Sequence, residues 1–256
     1  MLAHDAAGRG DCPVVVLVHG WPLNRTIWSE VTPRLAASGI RVLAPDLPGF
    51  GESPPLPGPS PRVEAYAAEL ATFLEAVGSH RPAVAGHSFG GYVALALAEA
   101  RPDLVGGLGL IASRTGADND TVRRGRLETI DKVRTGGTKV LLPGLAEKLV
   151  GPSGAVPWRP RASRIIEQAR AEGVIAGLTA MAARPDRTAV FEEFSGPRLV
   201  VHGRADALIP VAEAADPAGG RPPVRAILPD VGHMPMWESP EATADAVVTW
   251  SKALGH

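Results

Sequence analysis

The chain has 256 residues, enough to bury one large core, alone or with a small insertion. Its 26 lysines and arginines balance 27 aspartates and glutamates to a net charge of −1, which argues against nucleic acid or an acidic membrane surface as partner. A single cysteine, Cys12, excludes an intrachain disulfide, and no apolar run approaches the ~18 residues of a membrane span.

The first residues, Met1 to Asp11, lack the basic and apolar regions of a signal peptide, so a cytoplasmic location is expected. Met1 to Ala6 predicts one short edge strand, ended by Gly8 and Gly10. Cys12 lies far from the motifs described below and reads as incidental. Val14 to Val18 is an unbroken aliphatic run, mostly β-branched, which suits a strand buried on both faces of a parallel sheet. It stops at His19-Gly20-Trp21-Pro22. Asn24 to Ala37 predicts a helical segment interrupted by Pro33. Ile40 to Ala44 is the next strand and runs into Pro45-Asp46-Leu47-Pro48-Gly49-Phe50-Gly51-Glu52-Ser53. Pro54 to Pro61 reads as a stiff connection. Glu64 to Val77 predicts an amphipathic helix, with Ala67, Leu70, Leu74 and Val77 on its apolar face.

Arg81 to Ala98 carries the clearest chemical signal. An apolar run, Ala83 to Ala85, meets Gly86-His87-Ser88-Phe89-Gly90-Gly91, and Tyr92 to Ala98 continues as a good helix former. A chain with 29 glycines can hold Gly-x-Ser-x-Gly by chance, but the strand–turn–helix context makes it a nucleophile elbow. Side chains two residues before and after the serine would collide with strand and helix, so Gly86 and Gly90 are required. The helix start aims free N–H groups at the reacting centre, and Phe89 N–H is a candidate oxyanion donor.

Leu104 to Ile111 predicts another strand, and the alternation so far argues for an α/β protein with a largely parallel sheet. From Ala112 to Val190 only helices and loops are predicted: Thr121 to Arg134, one or two short helices in Thr138 to Val150, then Arg161 to Glu172 and Val174 to Ala183. Pro152, Pro157 and Pro160 mark a loop between them. Residues 113–189 therefore read as a helical cap inserted into a core of 1–112 and 190–256. Its Arg114, Arg123, Arg124 and Arg126 either attract an acidic substrate or form a solvated face. Strands return at Arg198 to Val201 and Val224 to Leu228, and Glu241 to Leu254 closes the chain as a helix.

A serine nucleophile needs a base in contact, and the base needs a buried acid to hold its tautomer. Of seven histidines, His4 and His256 are terminal, His80 lies in a connecting loop, His19 and His87 lie in turns, and His202 ends a strand. Only His233 follows the last strand, giving the order serine, acid, histidine. Asp206, a short turn after the next-to-last strand, belongs at the same sheet edge as Ser88 and His233. Asp118 is the alternative acid; Asp230 is too near His233, and Asp46 braces its own turn. Trp21 N–H is expected as second oxyanion donor, beside Phe89 N–H. Trp21, Phe89, Trp158, Met181, Met234 and Trp237 are candidate liners of a substrate pocket, with ordinary core packing as the competing assignment.

Taken in order, His19-Gly20-Trp21-Pro22, Asp46 to Ser53, Gly86 to Gly91, His202 to Asp206 and Gly232-His233 resemble the motifs of α/β-hydrolase fold enzymes along nearly the whole chain. The resemblance implies a sheet of about eight strands flanked by helices, with a helical cap after the sixth; only one short strand fits before Val14, so the leading edge strand is expected to be shortened or missing. It implies a serine hydrolase of esters or lactones, closest in its cap region to the carboxylesterase and enol-lactone hydrolase branch, needing no metal or organic cofactor. Relatives that use an aspartyl ester carry aspartate where Ser88 stands, which disfavours halide displacement and epoxide opening. A carbon–carbon bond hydrolase, a cofactor-free perhydrolase and a ligand receptor with a slow triad are the competing functions. A monomer or homodimer acting on a small molecule is expected.

Overall fold

The aliphatic runs assemble into one seven-stranded sheet. The computed structural model describes residues 1–10, 12–58, 61–152, 155–215 and 222–254, with backbone alone at 155 and 156. His256 and part of the Pro54–Pro61 connection lie outside the described residues. The strands are β1 (His4–Ala7), β2 (Val14–Val18), β3 (Arg41–Pro45), β4 (Ala83–His87), β5 (Gly107–Ile111), β6 (Arg198–Gly203) and β7 (Val224–Leu228). Their spatial order is β1-β3-β2-β4-β5-β6-β7. β1 runs antiparallel to β3, and all other neighbours are parallel.

The expected eight strands are thus seven. The segment before Val14 has room for a single strand, and Gly8 turns there at φ +87, where a Cβ would overlap the Ile40 carbonyl. β4, β5 and β6 are buried along their whole length, as helices over a parallel sheet require, whereas the edge strand β7 stays partly exposed. β5 begins only at Gly107, because Pro102–Leu104 form a 3-10 turn.

Helices α1 (Thr32–Ala37), α2 (Val63–Ala76), α3 (Phe89–Ala100) and α10 (Pro240–Ser251) cover the sheet, α2 packing on α3 and α1 on α10. Trp250 of α10 is fully buried against Gly107 and Gly109 of β5, where added side chains would meet the indole. Burial of such a ring contributes about 2–3 kcal/mol, and its N–H is satisfied by the Pro197 carbonyl at 3.0 Å.

Between β5 and β6 the chain forms α4 (Asp120–Gly136), α5 (Leu142–Leu149), α6 (Ala155–Gln168), α7 (Ala171–Ala182) and α8 (Thr188–Glu192). The bounds of α6 differ from expectation: it starts before Arg161 and ends at Gln168, not Glu172. α6 takes in Pro157 and Pro160, expected to lie in a loop. Pro157 falls in the first turn, where backbone N–H groups have no helical partner, and Pro160 removes one interior hydrogen bond without ending the helix. α5 is kinked at Pro143 and Gly144, the latter at φ +91. α9 (Pro235–Glu238) is a single turn after the last strand.

β2 lies between β3 and β4. The chain leaving β2 therefore goes toward the β1 edge, to β3, while the chain leaving β4 goes toward the opposite edge, to β5. Such a switch point opens a crevice at the carboxyl ends of the strands, between the β2 loop and the β4 turn.

Candidate active site

Ser88 occupies that turn at φ +50 and ψ −113, a backbone conformation that side-chain-bearing residues avoid. The flanking glycines permit it: a Cβ on Gly86 would overlap the Gly90 carbonyl, and one on Gly90 would overlap the Val18 and His19 carbonyls. The strained turn is held by Ser88 N–H to the Ile111 carbonyl at 2.9 Å and by the Ser113 hydroxyl to the Ser88 carbonyl at 2.8 Å. Phe89 opens α3, and the turn after β2 carries Trp21. Among the described residues neither Phe89 N–H nor Trp21 N–H donates to a protein acceptor.

His233 is buried in the loop after β7, and its Nδ1–H donates to Asp206 Oδ2 at 2.7 Å. A carboxylate only accepts, so this bond fixes the tautomer and leaves Nε2 with the lone pair. Asp206 Oδ1 accepts the N–H groups of Leu208 and Ile209 at 2.8 and 2.9 Å. Burial opposes the Asp206 charge, but the nearby His233, the side-chain hydrogen bonds of His202 and His233 and the Ile209 N–H outweigh it and hold the carboxyl well below its usual range.

The other buried histidines, His19, His87 and His202, are committed elsewhere. His19 Nδ1–H donates to the Gly20 carbonyl and its Nε2 accepts Leu47 N–H, both at 2.9 Å, tying the β2 and β3 loops together. His87 Nε2–H donates to the His233 carbonyl at 2.8 Å. Complete burial, reinforced by His233, pushes the His87 pKa well down, so it is a neutral brace. His202 Nε2–H donates to the Ile209 carbonyl at 2.8 Å and lies 3.4 Å from Asp206 Oδ2. Asp46 braces its own turn through the N–H groups of Arg25 and Glu52 at 2.8 and 2.9 Å.

Glu238 was not anticipated. Its carboxylate accepts Gly232 N–H at 3.1 Å, Met234 N–H at 3.2 Å and Gly151 N–H at 2.7 Å. Burial, with Asp206 nearby, raises its pKa against the pull of these three donors. The only trace in the sequence is an acidic residue five positions after His233, and its partners are backbone groups that a sequence does not display.

Ser88 and His233 line a cavity of about 470 Å3 together with Trp21, Tyr92, Arg114, Arg126, Leu178 and Met181. A second cavity of about 400 Å3 adjoins it, sharing Trp21, Thr129, Leu145, Lys148 and Leu208. Of the expected liners, Trp21 and Met181 are there; Phe89, Trp158, Met234 and Trp237 are not. The Phe89 ring packs edge-on against Tyr66 at 5.0 Å. Met234 is buried, Trp237 gives its N–H to the Ile27 carbonyl at 2.9 Å, and Trp158 stacks on Trp237 at 5.7 Å. Rings already satisfied by core and neighbouring rings do not face a ligand. The Trp21 indole donates to the Val174 carbonyl of α7 at 3.0 Å, joining the sheet edge to the inserted helices.

Asp118, the alternative acid, is remote from this arrangement in its bonding. It is buried among Arg114, Arg126 and Arg184, accepting from Arg114 Nη2 at 2.6 Å and Arg184 Nη2 at 2.8 Å. Burial raises its pKa, but Arg126 foremost and then Arg184 and Arg114 bring it below the ordinary value. Arg184 lies over the Tyr92 ring at 3.9 Å. Arg123 and Arg124 are exposed and do not line the cavity.

Residues 15–246 match the family model described as the alpha/beta hydrolase family. A pimeloyl-[acyl-carrier protein] methyl ester esterase from Aromatoleum aromaticum is 34% identical over 253 residues, covering 91% of this chain and 95% of the relative. A 2-hydroxy-6-oxononadienedioate/2-hydroxy-6-oxononatrienedioate hydrolase from Cupriavidus pinatubonensis is 30% identical over 258 residues, covering 91% and 85%. Among solved structures, a thermophilic esterase from Thermogutta terrifontis superposes with a TM-score of 0.90 at 33% identity, covering 99% of this chain and 94% of that one. No helix among the described residues is long and apolar enough to cross a membrane. The chain belongs to the alpha/beta hydrolase family and is of its esterase type.

Proposed function

We propose that the chain hydrolyses carboxylic esters or lactones through an acyl-enzyme formed on Ser88. One observation carries this reading: Ser88, on its strained turn, shares a cavity with His233, whose Nδ1 is bonded to Asp206. His233 Nε2 takes the Ser88 proton as Oγ attacks the carbonyl carbon, and Asp206 stabilises the imidazolium that forms. The N–H groups of Trp21 and Phe89 receive the oxyanion; one such donor is typically worth about 3 kcal/mol of barrier. The alcohol leaves with the proton from His233. Water, deprotonated by the same nitrogen, then attacks the acyl carbon, and the acid departs as Ser88 recovers its proton. No metal or organic cofactor enters these steps. Residues 113–189 act as the cap that shapes the pocket and limits water entry.

The esterase relatives support an ester substrate. The Cupriavidus relative supports a second reading, hydrolysis of a carbon–carbon bond in a dienone acid, using the same residues. The test is turnover of p-nitrophenyl esters from acetate to dodecanoate by wild type and Ser88→Ala. Turnover by wild type with an acyl-length optimum, abolished in the folded variant, is expected. Retained turnover in Ser88→Ala overturns the nucleophile; absence of ester turnover in wild type, with turnover of the dienone acid, selects the second reading.

A further inference from the structure

The inserted helices bring an excess of permanent positive charge to the cavity that holds Ser88. Arg114, Arg126 and Lys148 line it, and Arg184 lies behind. The carboxylates among them are the buried Asp118, the half-exposed Glu213, which pairs with Arg114, and Asp186, near Arg184. Four cations, of which Lys148 is exposed, therefore face three carboxylates. An exposed arrangement of that kind would be a solvated face of little consequence. Here Arg114, Arg126 and Arg184 have side chains 13%, 18% and 2% exposed, so water does little to offset the excess.

The bonding separates structural from available donors. Arg184 gives its terminal nitrogens to Asp118 and the Gly116 carbonyl and lies over the Tyr92 ring; its Nε and that of Arg114 have no partner among the described residues but are buried away from the cavity surface. Arg114 spends both terminal nitrogens on Asp118 and Glu213. Arg126 gives Nε and Nη2 to Asp118, but its Nη1 meets only the sulfur of Met181, at 3.3 Å. A thioether is a weak acceptor, so among the described residues this charged N–H group has no oxygen partner on a wall of the cavity. Lys148 forms no ion pair among the described residues and lines both cavities. Around these charges the walls are apolar, with Leu145, Leu178 and Met181.

We infer that the substrate carries a second group besides its ester, a carboxylate, and that Arg126, aided by Lys148, seats it. The guanidinium Nη1 turns from the Met181 sulfur to a carboxylate oxygen, while Asp118 keeps the rest of Arg126 in place. The inference rests on the hydrolase reading above and adds a substrate class to it: half-esters, or esters and lactones bearing a free acid. Arg126 is then a specificity residue that touches the substrate away from the reacting carbonyl.

The test compares three esters: neutral p-nitrophenyl pentanoate, the p-nitrophenyl half-ester of glutaric acid, and 4-carboxyphenyl butanoate. The second places the carboxylate on the acyl side and the third on the alcohol side. kcat/KM is measured for wild type, Arg126→Gln and Lys148→Met. In wild type at least one carboxylate ester is expected to be processed, and Arg126→Gln should lower its kcat/KM relative to the neutral ester by roughly tenfold to a hundredfold, the loss typical of a hydrogen bond to a charged group. Lys148→Met should lower the ratio less, and added salt should compress it in wild type. Taking the ratio removes any general loss of folded protein. A ratio unchanged in Arg126→Gln for both carboxylate esters overturns the inference while Ser88-dependent turnover of the neutral ester leaves the hydrolase reading standing. Absence of Ser88-dependent turnover of all three overturns both.

Discussion

Two buried carboxylates organise this molecule in different ways. Asp206, at the sheet edge, is surrounded by histidines and backbone N–H groups. Asp118, beneath the inserted helices, is surrounded by arginines. The side-chain partners of Asp206 are imidazoles, the side-chain type that proton transfer uses, and those of Asp118 are guanidiniums, which keep their charge. The first environment suits proton transfer and the second suits holding charge in place. The contrast also separates the two regions in kind. At the sheet edge the geometry is imposed by backbone collisions, whereas in the insert it is imposed by long side chains.

The largest expected effect lies on the first carboxylate. Asp206→Asn places an amide where Nδ1–H of His233 needs an acceptor, and the tautomer can reverse. The proposed mechanism then loses about 10⁴-fold in kcat, with the fold retained by circular dichroism. A loss under tenfold would mean that Asp206 has no part in orienting the base.

Asp118→Asn is expected to act on stability. It leaves the buried Arg184 and the largely covered Arg126 and Arg114 without their shared carboxylate, at a cost of about 3 kcal/mol measured by urea unfolding near pH 7. The pH dependence follows from the direction of the shift. The folded carboxyl titrates below its unfolded value of 3.8, so its stabilisation is full above that value and is lost as pH falls through the lower, folded one. Stability measured from pH 6 down to pH 3 should therefore decline less steeply in Asp118→Asn than in wild type. Equal slopes would remove the arginine cage as a source of acid sensitivity.

The smallest effect tests the link between the regions. Glu238→Gln exchanges an acceptor of three backbone N–H groups for one that also presents donors to them. About tenfold lower kcat is expected from a looser His233 loop, with KM for a short neutral ester little changed. A change confined to KM would place Glu238 in the service of the pocket instead.

The sheet edge that carries Ser88 was readable in the sequence because its constraints are steric. Gly86 and Gly90 have no tolerable substitute beside a serine at positive φ, and such glycines are visible as letters. The places of the strands along the chain followed from short apolar runs, and those of Asp206 and His233 from their positions after β6 and β7. The insert was less legible. Trp158 and Trp237 look like pocket rings by type, yet they stack on each other, a pairing between segments far apart in the chain. Which arginine faces a cavity depends on how α4 packs against α7, and Arg123, Arg124 and Arg126 are alike as letters. Pro157 and Pro160 suggested a loop because proline penalises a helix interior, but one sits in the first turn and the fold absorbs the other.

His233 donates its own backbone N–H to the Leu149 carbonyl at 2.9 Å, and Gly151 shares Glu238 with Gly232. The end of α5 and the histidine loop are therefore stitched together like two edges of one seam. A lid that lifted at this margin would drag His233 with it, so under the proposed mechanism traffic through that side and chemistry on Ser88 would exclude each other in time. The kink at Pro143 and Gly144 lies on the far side of α5, against the second cavity. Under the proposed mechanism, passage by that route would leave the seam closed, and molecules would come and go without dismantling the part that reacts with them.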